Sequence, residues 1–505
     1  MRLLRPVAIA AVGSLALAGA VAGPPISAAG APVSVVGAPI FAGVPVATAR
    51  VASAPVVLIS PDLRHLSGAH IGAPTTAYCE QHYKIACYRP QQIQQGYDLP
   101  KLFDAGITGK GQTIVIVDSY GSPTVQHDLA VFDAEAHLPA PPSFKIIQPA
   151  GRVAPYQAND NREGWAGETE LDVEYAHDIA PGANILLVET PTSENEGRTG
   201  FPQIVKAEEF VVNHHLGGVI SQSFSASEQS FARPGRLLSL RGAYIDAAAR
   251  GVTVLTASGD SGAADVTFDG STYFTHPVTS WPDSDPLVTG IGATQLHLNP
   301  AGFPTGPATV WNDTYNAATN QYIVGNSGPN PLASGGGRSA IFSRPRYQRG
   351  VRHLVGSKRG VPDISMSGAC NGAADMYQSF KGQPAGWYPT CGTSEATPEF
   401  AGIVALADQV AHHPLGLINP ALYLLSALRA PGIADVVGGS NTVTFRQGKK
   451  NKVYTVTGFR AVPGYDLATG VGTVNAPAFV RELAFVASHP RWSAARLKSA
   501  LSRLP

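Results

Sequence analysis

The sequence predicts an α/β fold of three layers, in which a mostly parallel central sheet is flanked by helices. Apolar runs of strand length that end in polar residues lie at 111–121, 183–190, 217–225 and 251–260. Helical patterns lie at 167–180, 202–215, 236–250 and 397–411. This alternation of strands and helices is typical of a parallel sheet that is covered on both faces.

The carboxyl ends of the predicted strands carry polar residues that are candidates for function. Asp118, Ser223 and Asp260 each stand where an apolar run ends. Functional side chains gather at that edge of open parallel sheets. The Gly-, Pro- and Ser-rich stretch 262–345 predicts long loop insertions with short strands, packed on the sheet.

The composition excludes several classes of partner. The 505 residues include 36 Lys+Arg and 36 Asp+Glu, so no net charge favours nucleic acid or an anionic membrane. Charged residues make up only 14%, whereas Gly (54) and Pro (41) are abundant, as is common in secreted enzymes. The hydrophobic share of 44% is enough for a sizeable core.

The N-terminus has the pattern of an export signal. Arg2 and Arg5 precede an apolar stretch that ends in a small-residue cleavage pattern at 20–22. A membrane anchor is the alternative, but the stretch is short for a span and contains glycines. We expect a secreted, extracellular protein with a removed signal peptide at 1–22, an Ala/Pro-rich linker or short pro-segment at 23–76, a main domain at 77–487 and a solvated basic tail at 488–505.

The four cysteines agree with export, because an even count in an exported chain favours disulfides. Three pairings are open. We prefer Cys79–Cys87 and Cys370–Cys391, the pairs closest in sequence, and the second would staple the segment just before Ser394. Metal binding is the alternative, but neither a CxxC motif nor a group of histidines accompanies these cysteines.

The segment 167–182, GETELDVEYAHDIAPG, carries five carboxylates in a helical pattern. At about 100° per residue, Glu168 and Asp172 fall on the apolar side of that helix. The residues predicted on the opposite, water-facing side are Glu170, Glu174 and His177. Two carboxylates that point into the protein one turn apart are costly to bury. They are therefore either a functional pair or part of a structural ion pair with a buried Arg.

The segment 391–402, CGTSEATPEFAG, places Ser394 in a turn before a predicted helix. Thr397 can cap that helix, and Pro398 suits its first position. The free N–H groups and the dipole of the helix would then favour negative charge beside Ser394. Such turns are common, as are Asx turns like the one around Asp260, so partners elsewhere must decide whether the serine is a nucleophile.

A nucleophilic serine needs a base, yet none of the 14 histidines stands in a recognisable catalytic setting. Where a subtilisin carries its HGTHVAG helix, this chain has the helix with Glu168 and Asp172. The combination resembles the sedolisin family of serine-carboxyl peptidases. The stretches that match it, in the family's order and over roughly 80–485, are GETELDVEYAHDIAPGA, VISQSFSASE, TASGDSGA, SWPDSDPLVTGIGAT, SGGGRSAIFSRPRYQ, RGVPDIS, CGTSEATPEFAG and GYDLATGVGT.

The resemblance implies a subtilisin-like fold and a peptidase that cleaves polypeptides at acidic pH, either as an endopeptidase or by releasing tripeptides. In it, Ser394 would form the acyl-enzyme, Glu168 would be the general base and Asp172 would orient that base. Asp260 would donate to the oxyanion in its protonated form. A Glu base with an ordinary pKa of about 4.3 suits acidic medium better than His, with its pKa of about 6.5.

The resemblance also implies one structural calcium ion. Its ligands would be Asp435, Asp466 and the carbonyls of Val436, Val462 and Gly464. Hard oxygen ligands around two carboxylates suit Ca²⁺. The residues alone would make the two aspartates ordinary turn residues. The family commonly has Gly where Val462 stands, but only a carbonyl is needed there.

Two features depart from the family's pattern. The substrate-lining Ser-Trp-Gly of the family is here Ser223, Phe224 and Ser225. Some members link the triad outward through an acidic residue and that Trp; Asp118 matches the acid, but Phe has no N–H donor, so the relay is incomplete. Members usually carry a large folded pro-domain, for which 23–76 is too short. Folding would then need a separate chaperone or a domain that folds spontaneously.

Two other functions are alternatives. A subtilisin-type peptidase would use Asp118 as the acid and a histidine such as His127 as the base. An inactive pseudo-peptidase would keep the fold as a binding module, and its expected sign, a missing triad residue, is not found in the sequence. We expect a monomer that binds polypeptides and neither nucleic acid nor, once the signal is removed, a membrane.

Overall fold

The computed structural model describes residues 72–504, except 159, 198, 269 and 315–330. The predicted signal peptide and most of the predicted linker lie outside the described residues. Within the described residues, every helix is too short or too polar to cross a lipid bilayer.

Helices and strands alternate through the described chain. The helices are α1 (Thr76–Tyr83), α2 (Pro90–Gly96), α3 (Pro100–Asp104), α4 (Val125–Ala136), α5 (Asp160–Ile179), α6 (Phe201–Asn213), α7 (Pro234–Leu238), α8 (Gly242–Arg250), α9 (Arg352–Val355), α10 (Thr393–Ala411), α11 (Asn419–Leu428), α12 (Ala476–Ser488) and α13 (Ala494–Leu501). The strands are β1 (Cys87–Tyr88), β2 (Thr113–Ser119), β3 (Phe144–Ile147), β4 (Asn184–Thr190), β5 (Val219–Gln222), β6 (Ala226–Ser227), β7 (Thr253–Ala257), β8 (Ser280–Trp281), β9 (Thr289–Gln295), β10 (Thr309–Val310), β11 (Gly337–Ser343), β12 (Lys358–Val361), β13 (Ile364–Ser367), β14 (Ala373–Gln378), β15 (Gly386–Thr390), β16 (Ile433–Ala434), β17 (Val443–Gln447), β18 (Lys452–Val456) and β19 (Thr473–Val474).

The central sheet confirms the predicted α/β class. In the described chain it has eight strands in the order β10-β9-β7-β5-β2-β4-β3, with β13 also paired to β9. All of its pairs are parallel except β10 with β9. The four predicted strands correspond to β2, β4, β5 and β7 at its centre. Because these strands are parallel, the residues that follow them meet at one edge.

Four strands of the described sheet, β3, β9, β10 and β13, were not among the predicted strands. The longest, β9, lies inside the stretch 262–345, for which the sequence predicted loop insertions with short strands, and its residues are almost all buried. The prediction is wrong there because TGIGATQ contains two glycines and few large apolar side chains, so its strand pattern is weak. Pairing with β7 and β13 on its two sides fixes its extended conformation.

Helix α5 is buried on all sides, so the predicted water-facing side is wrong. Glu170, Glu174 and His177 are each 0% exposed. A second sheet of order β1-β14-β15, together with α4, covers the side that the pattern left open. Glu174 accepts a hydrogen bond from the Tyr377 N–H at 3.0 Å, and His177 Nε2 lies 2.8 Å from the Pro139 carbonyl oxygen.

Helix α10 packs closely against α5. A Cβ added at Gly402 would lie 2.6 Å from the Ile179 Cβ, so glycine permits this approach. Both preferred disulfides, Cys79–Cys87 and Cys370–Cys391, are present, and the second precedes α10 directly.

The C-terminal segment is not the solvated tail that was predicted. Residues 494–501 form α13, whose first turn is capped by the Ser493 hydroxyl. Leu497 is buried in the main hydrophobic core, and α13 packs on α11 and α12. The basic side chains of this short helix concealed one buried apolar position, which is enough to dock it.

Candidate active site

Ser394 lies in the first turn of α10 and is fully buried. The predicted cap at Thr397 and first helical position at Pro398 are wrong, because the helix begins earlier, at Thr393. The Asp260 carboxylate caps it from another segment: Oδ1 accepts from the Thr393 N–H at 2.8 Å and from the Thr393 hydroxyl at 2.7 Å. The helix therefore starts where a tertiary contact satisfies its free N–H groups.

Pro398, now inside the helix, lacks the N–H that would bond to the Ser394 carbonyl four residues earlier. The Ser223 hydroxyl oxygen lies 3.4 Å from that carbonyl oxygen. The same Ser223 hydroxyl is 2.8 Å from Asp172 Oδ1. Ser223 therefore links the backbone of the serine turn to the second carboxylate of α5.

Glu168 and Asp172 face Ser394 from α5. Burial raises the pKa of the Glu168 carboxyl well above its usual range, and the nearby Ser394 hydroxyl opposes that shift. Burial likewise raises the pKa of Asp172 well above normal, with the nearby charges of Asp118 and Glu168 adding to it. In the described chain, neither Glu168 oxygen has a hydrogen bond of ordinary geometry. The carboxylate is thus buried beside the hydroxyl with little to stabilise its charge.

Asp118, at the end of β2, is the third carboxyl of this group. Burial raises its pKa to about 7, and the nearby Thr169 hydroxyl and Asp172 carboxyl oppose the shift. We call Asp118, Glu168 and Asp172 the front cluster. Three buried carboxyls within mutual range cannot all be ionised, so they share protons.

One oxygen of the Asp260 carboxyl is bonded and the other is free among the described residues. Its Oδ1 is occupied as an acceptor by Thr393, whereas Oδ2 has no hydrogen-bond partner among the described residues. Burial raises its pKa to about 6. A Cβ at Gly392 would lie 2.8 Å from Oδ2, so the glycine keeps the space beside this oxygen open. A proton on Oδ2 would therefore be free to donate beside the serine turn.

The three predicted substrate-lining residues have different surroundings. Ser223 is buried and bonds to the acid cluster as described. The Phe224 ring is buried and packs on Trp165 and Phe201, with ring centroids 6.3 Å apart in both pairs. Ser225 is half-buried. The side chain of Phe224 therefore belongs to the core, whereas the side chain of Ser225 is partly exposed.

The sequence reasoning missed one acidic residue near the site. Glu194 is buried after β4, and its Oε2 has no hydrogen-bond partner in the described chain. Burial raises its pKa to about 8, and its charge is among those that raise the pKa of Glu168. Glu194 lies four residues after the polar end of the predicted strand 183–190. The strand-end pattern selects only the positions directly at such ends, so it does not include this residue.

The alternative base, His127, is not beside the serine. Its Nδ1 lies 2.8 Å from Asp128 Oδ1, and its side chain is 66% exposed. The hydroxyl of Ser379 is 3.5 Å from the same ring nitrogen. The arrangement gives a histidine-based triad through this residue no support.

The predicted calcium ligands lie together in two neighbouring loops. The Gly464 N–H is 3.1 and 3.0 Å from the two Asp435 carboxylate oxygens, and the Val462 N–H is 3.3 Å from Asp466 Oδ2. Val436 is buried next to Asp435. Two carboxylates and several backbone carbonyls form a donor set of the kind that Ca²⁺ prefers.

The side chains whose ligand atoms converge most closely are not the predicted calcium ligands. In the described chain, the one group of three or more His, Cys, Asp or Glu side chains with converging ligand atoms is Cys79, Cys87 and Asp375. The two cysteines form a disulfide, so they are not available as thiolate ligands.

Comparison with known proteins identifies the family. The subtilase family (peptidase S8) model matches residues 150–421, more than half of the chain. The chain therefore belongs to the subtilase family. Its relatives in that family are sedolisins, which confirms the resemblance found in the sequence.

The relatives differ in how much of them the chain covers. Kumamolisin of Bacillus sp. (strain MN-32) is 31% identical over 394 residues, which are 76% of this chain and 62% of kumamolisin. Sedolisin of Pseudomonas sp. (strain 101) is 28% identical over 385 residues, 75% of this chain and 59% of sedolisin. The solved structure of Pseudomonas sedolisin, a serine-carboxyl proteinase in complex with pseudo-iodotyrostatin, matches with a TM-score of 0.63 and 25% identity, over 80% of this chain and 99% of that one. The chain thus spans about three fifths of the length of these two curated relatives.

Proposed function

We propose that this chain is a secreted serine-carboxyl peptidase that hydrolyses peptide bonds in acidic medium. The observation that carries the proposal is a buried serine hydroxyl close enough to the Glu168 carboxyl to oppose the rise in its pKa, in a site where the Asp260 carboxyl has one oxygen free. The relatives support it, since one is titled a serine-carboxyl proteinase and another is human tripeptidyl-peptidase 1, 31% identical over 63% of this chain.

In the proposed mechanism, Ser394 Oγ attacks the scissile carbonyl carbon while the Glu168 carboxylate takes the hydroxyl proton. The front cluster shares one negative charge, which Glu168 holds when Ser394 donates to it. Asp172, fixed by the Ser223 hydroxyl, orients Glu168. The oxyanion that forms accepts a hydrogen bond from protonated Asp260 Oδ2.

The second half of the reaction reverses these roles. Glu168 returns its proton to the departing amine, which leaves an ester between the acyl group and Ser394. A water molecule then attacks this ester as Glu168 takes its proton, and Ser394 departs with that proton restored. Asp260 donates to the second oxyanion as it did to the first.

The decisive experiment replaces Glu168 by Gln and assays cleavage of a denatured protein at pH 4. We expect activity to fall by about 10²- to 10⁴-fold, because the neutral amide cannot take the serine proton. Glu170→Gln is the matched control, since Glu170 is an equally buried carboxyl on the same helix that bonds to Ser122 and Thr124 instead. The control should keep its activity.

Other results would favour the alternatives. Full activity in Glu168→Gln, or its loss in His127→Ala, would support a subtilisin-type mechanism. A wild-type protein without measurable cleavage would support a binding module that keeps the fold.

We also propose that Asp435, Asp466 and the carbonyls of Val436, Val462 and Gly464 hold one structural Ca²⁺ ion. The support is the proximity of the two loops and their hard oxygen donors. Added Ca²⁺ should raise the melting temperature of the chelator-treated protein, and Asp466→Asn should abolish that rise. An equal rise in the variant would overturn the assignment.

The proposed setting of the enzyme is extracellular. Support comes from the basic and apolar pattern at 1–22 and from the two disulfides. We expect the exported protein to lack 1–22 and to be monomeric, which N-terminal sequencing and sedimentation of the secreted material would test.

A further inference from the structure

A second group of buried carboxyls lies between α10 and α5, outside the proposed catalytic residues. It consists of Glu395 and Glu399 on α10 and Asp178 near the end of α5, and we call it the rear cluster. All three side chains are 0% exposed. Glu395 follows the proposed nucleophile directly in sequence, and Glu399 lies one helical turn further on.

The rear cluster is poorly supplied with hydrogen-bond donors. In the described chain, no oxygen of the Glu395 or Glu399 carboxyl has a hydrogen bond of ordinary geometry. The Ser367 hydroxyl and the Ala374 N–H lie near enough to Glu395 to favour its charged form slightly. Asp178 Oδ1 accepts from Gln94 Nε2 at 2.8 Å, whereas its Oδ2 has no partner.

The groups that face this cluster from the surrounding elements supply no positive charge. Tyr97 after α2 and Tyr175 on α5 both feel the charges of Glu395 and Glu399, and the charge of Asp133 on α4 adds to the raised pKa of Asp178. Asp375 on β14 acts on Tyr175 and is itself influenced by Arg89. None of the charges that act on Glu395 or Glu399 is a cation, and none of the ion pairs in the described chain includes a member of the cluster.

A buried carboxylate without a cation or sufficient donors is costly, and a second charge one turn away increases that cost. Burial raises the pKa of Glu395 and of Glu399 well above their usual range. The charges of Glu395 and Asp178 raise the pKa of Glu399 further. The state of the cluster with the lowest free energy is therefore the neutral one, in which each carboxyl carries its proton.

We infer that the rear cluster makes the packing of α10 on α5 depend on protonation, so that the fold itself requires acid. Ionisation would place two or three like charges in the interface between the helix that carries Ser394 and the helix that carries Glu168. The protein would then lose stability toward neutral pH, whatever the charge state of the front cluster.

The direction follows from proton linkage. In the unfolded chain these carboxyls ionise at a pH of about 4. In the folded chain they keep their protons to a higher pH. Between the two values the folded state binds more protons, so the free energy of unfolding is largest in acid and falls as the pH rises.

The test is thermal unfolding of Glu395→Gln/Glu399→Gln between pH 3 and 8, in a Ser394→Ala background that prevents self-digestion. A Gln side chain has nearly the shape of a protonated Glu but cannot ionise. We expect the reference protein to melt at a temperature several degrees lower at pH 7 than at pH 4, and the double variant to lose at least about half of that difference. Glu80→Gln, an exposed replacement on α1, should not change it.

Parallel melting curves for the double variant and the reference across this range would overturn the inference. If the double variant does not fold, infrared spectroscopy of Glu399→Gln decides the matter: the reference protein should retain a band from protonated carboxyl groups at pH 6 that is weaker in the variant. An unchanged band would show that Glu399 is already ionised. Both measurements report folding and protonation in an inactive variant. Their outcome is therefore independent of whether the proposed peptidase activity is correct.

Discussion

The front and rear clusters both consist of buried Asp and Glu carboxyls, but the groups around them differ. Each places fully buried carboxyls between α5 and α10. In the front cluster, Ser223 donates to Asp172, and the Ser394 hydroxyl lies beside Glu168. In the rear cluster, the carboxyls of α10 have no hydrogen bonds of ordinary geometry in the described chain.

The difference teaches that buried acids alone do not identify an active site. What distinguishes the front cluster is the nearby Asp260 carboxyl with one free oxygen, together with the Ser223 hydroxyl that donates to Asp172. In the proposed mechanism, these features let the charge of the cluster change during a reaction. The rear cluster has the Ser367 hydroxyl beside Glu395 and Gln94 beside Asp178, but the described residues give it no free acidic donor like Asp260, so protonation there affects stability instead.

The largest expected effect on activity comes from pH. The loss of rate that we assign to Asp260 should precede the slower unfolding that we assign to the rear cluster. Asp260, with a pKa of about 6, can donate to an oxyanion only while protonated. Its neutral form predominates below that pH, so initial rates should fall roughly tenfold for each pH unit above it. Rates measured within seconds of a pH jump should show this loss reversibly, before any slower unfolding. A maximum above pH 7 would contradict the proposed donor, because Asp260 would then be largely ionised.

Replacing Asp260 should have the next largest effect. Asp260→Ala removes the donor and should lower kcat by about 10²- to 10³-fold at pH 4. Asp260→Asn should keep much of the activity and extend it toward neutral pH, because the amide donates at every pH while its oxygen still accepts from Thr393. Asp313→Asn is the control, since Asp313 is a buried carboxyl that accepts from the Trp311 ring N–H and the Asn371 N–H instead. Equal profiles for Asp260→Asn and the wild type would argue against a proton on this residue.

Ser223→Ala should have a moderate effect. The variant loses the 2.8 Å hydrogen bond to Asp172, and a typical hydrogen bond is worth about 0.5–1.5 kcal/mol. We expect kcat to fall by about two- to tenfold, with little change in KM, because Ser223 acts through Asp172. Ser225→Ala, two residues along and half-buried, should change KM more than kcat. The opposite split would assign Ser223 to substrate binding.

Glu194→Gln should have the smallest effect at acidic pH. With a pKa of about 8, Glu194 is already neutral at pH 4, so its replacement should leave kcat/KM within about a factor of two. Near neutral pH the variant removes a negative charge close to Glu168, and the shape of the profile should change only there. A large loss of kcat/KM at pH 4 would mean that Glu194 is charged in acid and takes part in the reaction together with the front cluster.

The sequence anticipated the site unevenly. Helical spacing alone put Glu168 and Asp172 on one inward side of α5, and the positions of strand ends selected Asp118, Ser223 and Asp260. The roles of these residues came from the family resemblance. Glu194 was not found because its distance from the end of β4 is set by the shape of a loop, for which no periodic pattern exists.

The sequence by itself determined the alternation of strands and helices, the parallel centre of the sheet and the pairing of the nearest cysteines, because these depend on local periodicity and short chain separations. Only the tertiary structure decided that α10 starts at Thr393 under the Asp260 carboxylate, that β9 joins the sheet and that both sides of α5 are covered. A period of about 3.6 residues shows which side chains share a face. What packs against that face depends on segments far away in the chain, and here those segments bury carboxyls on every side.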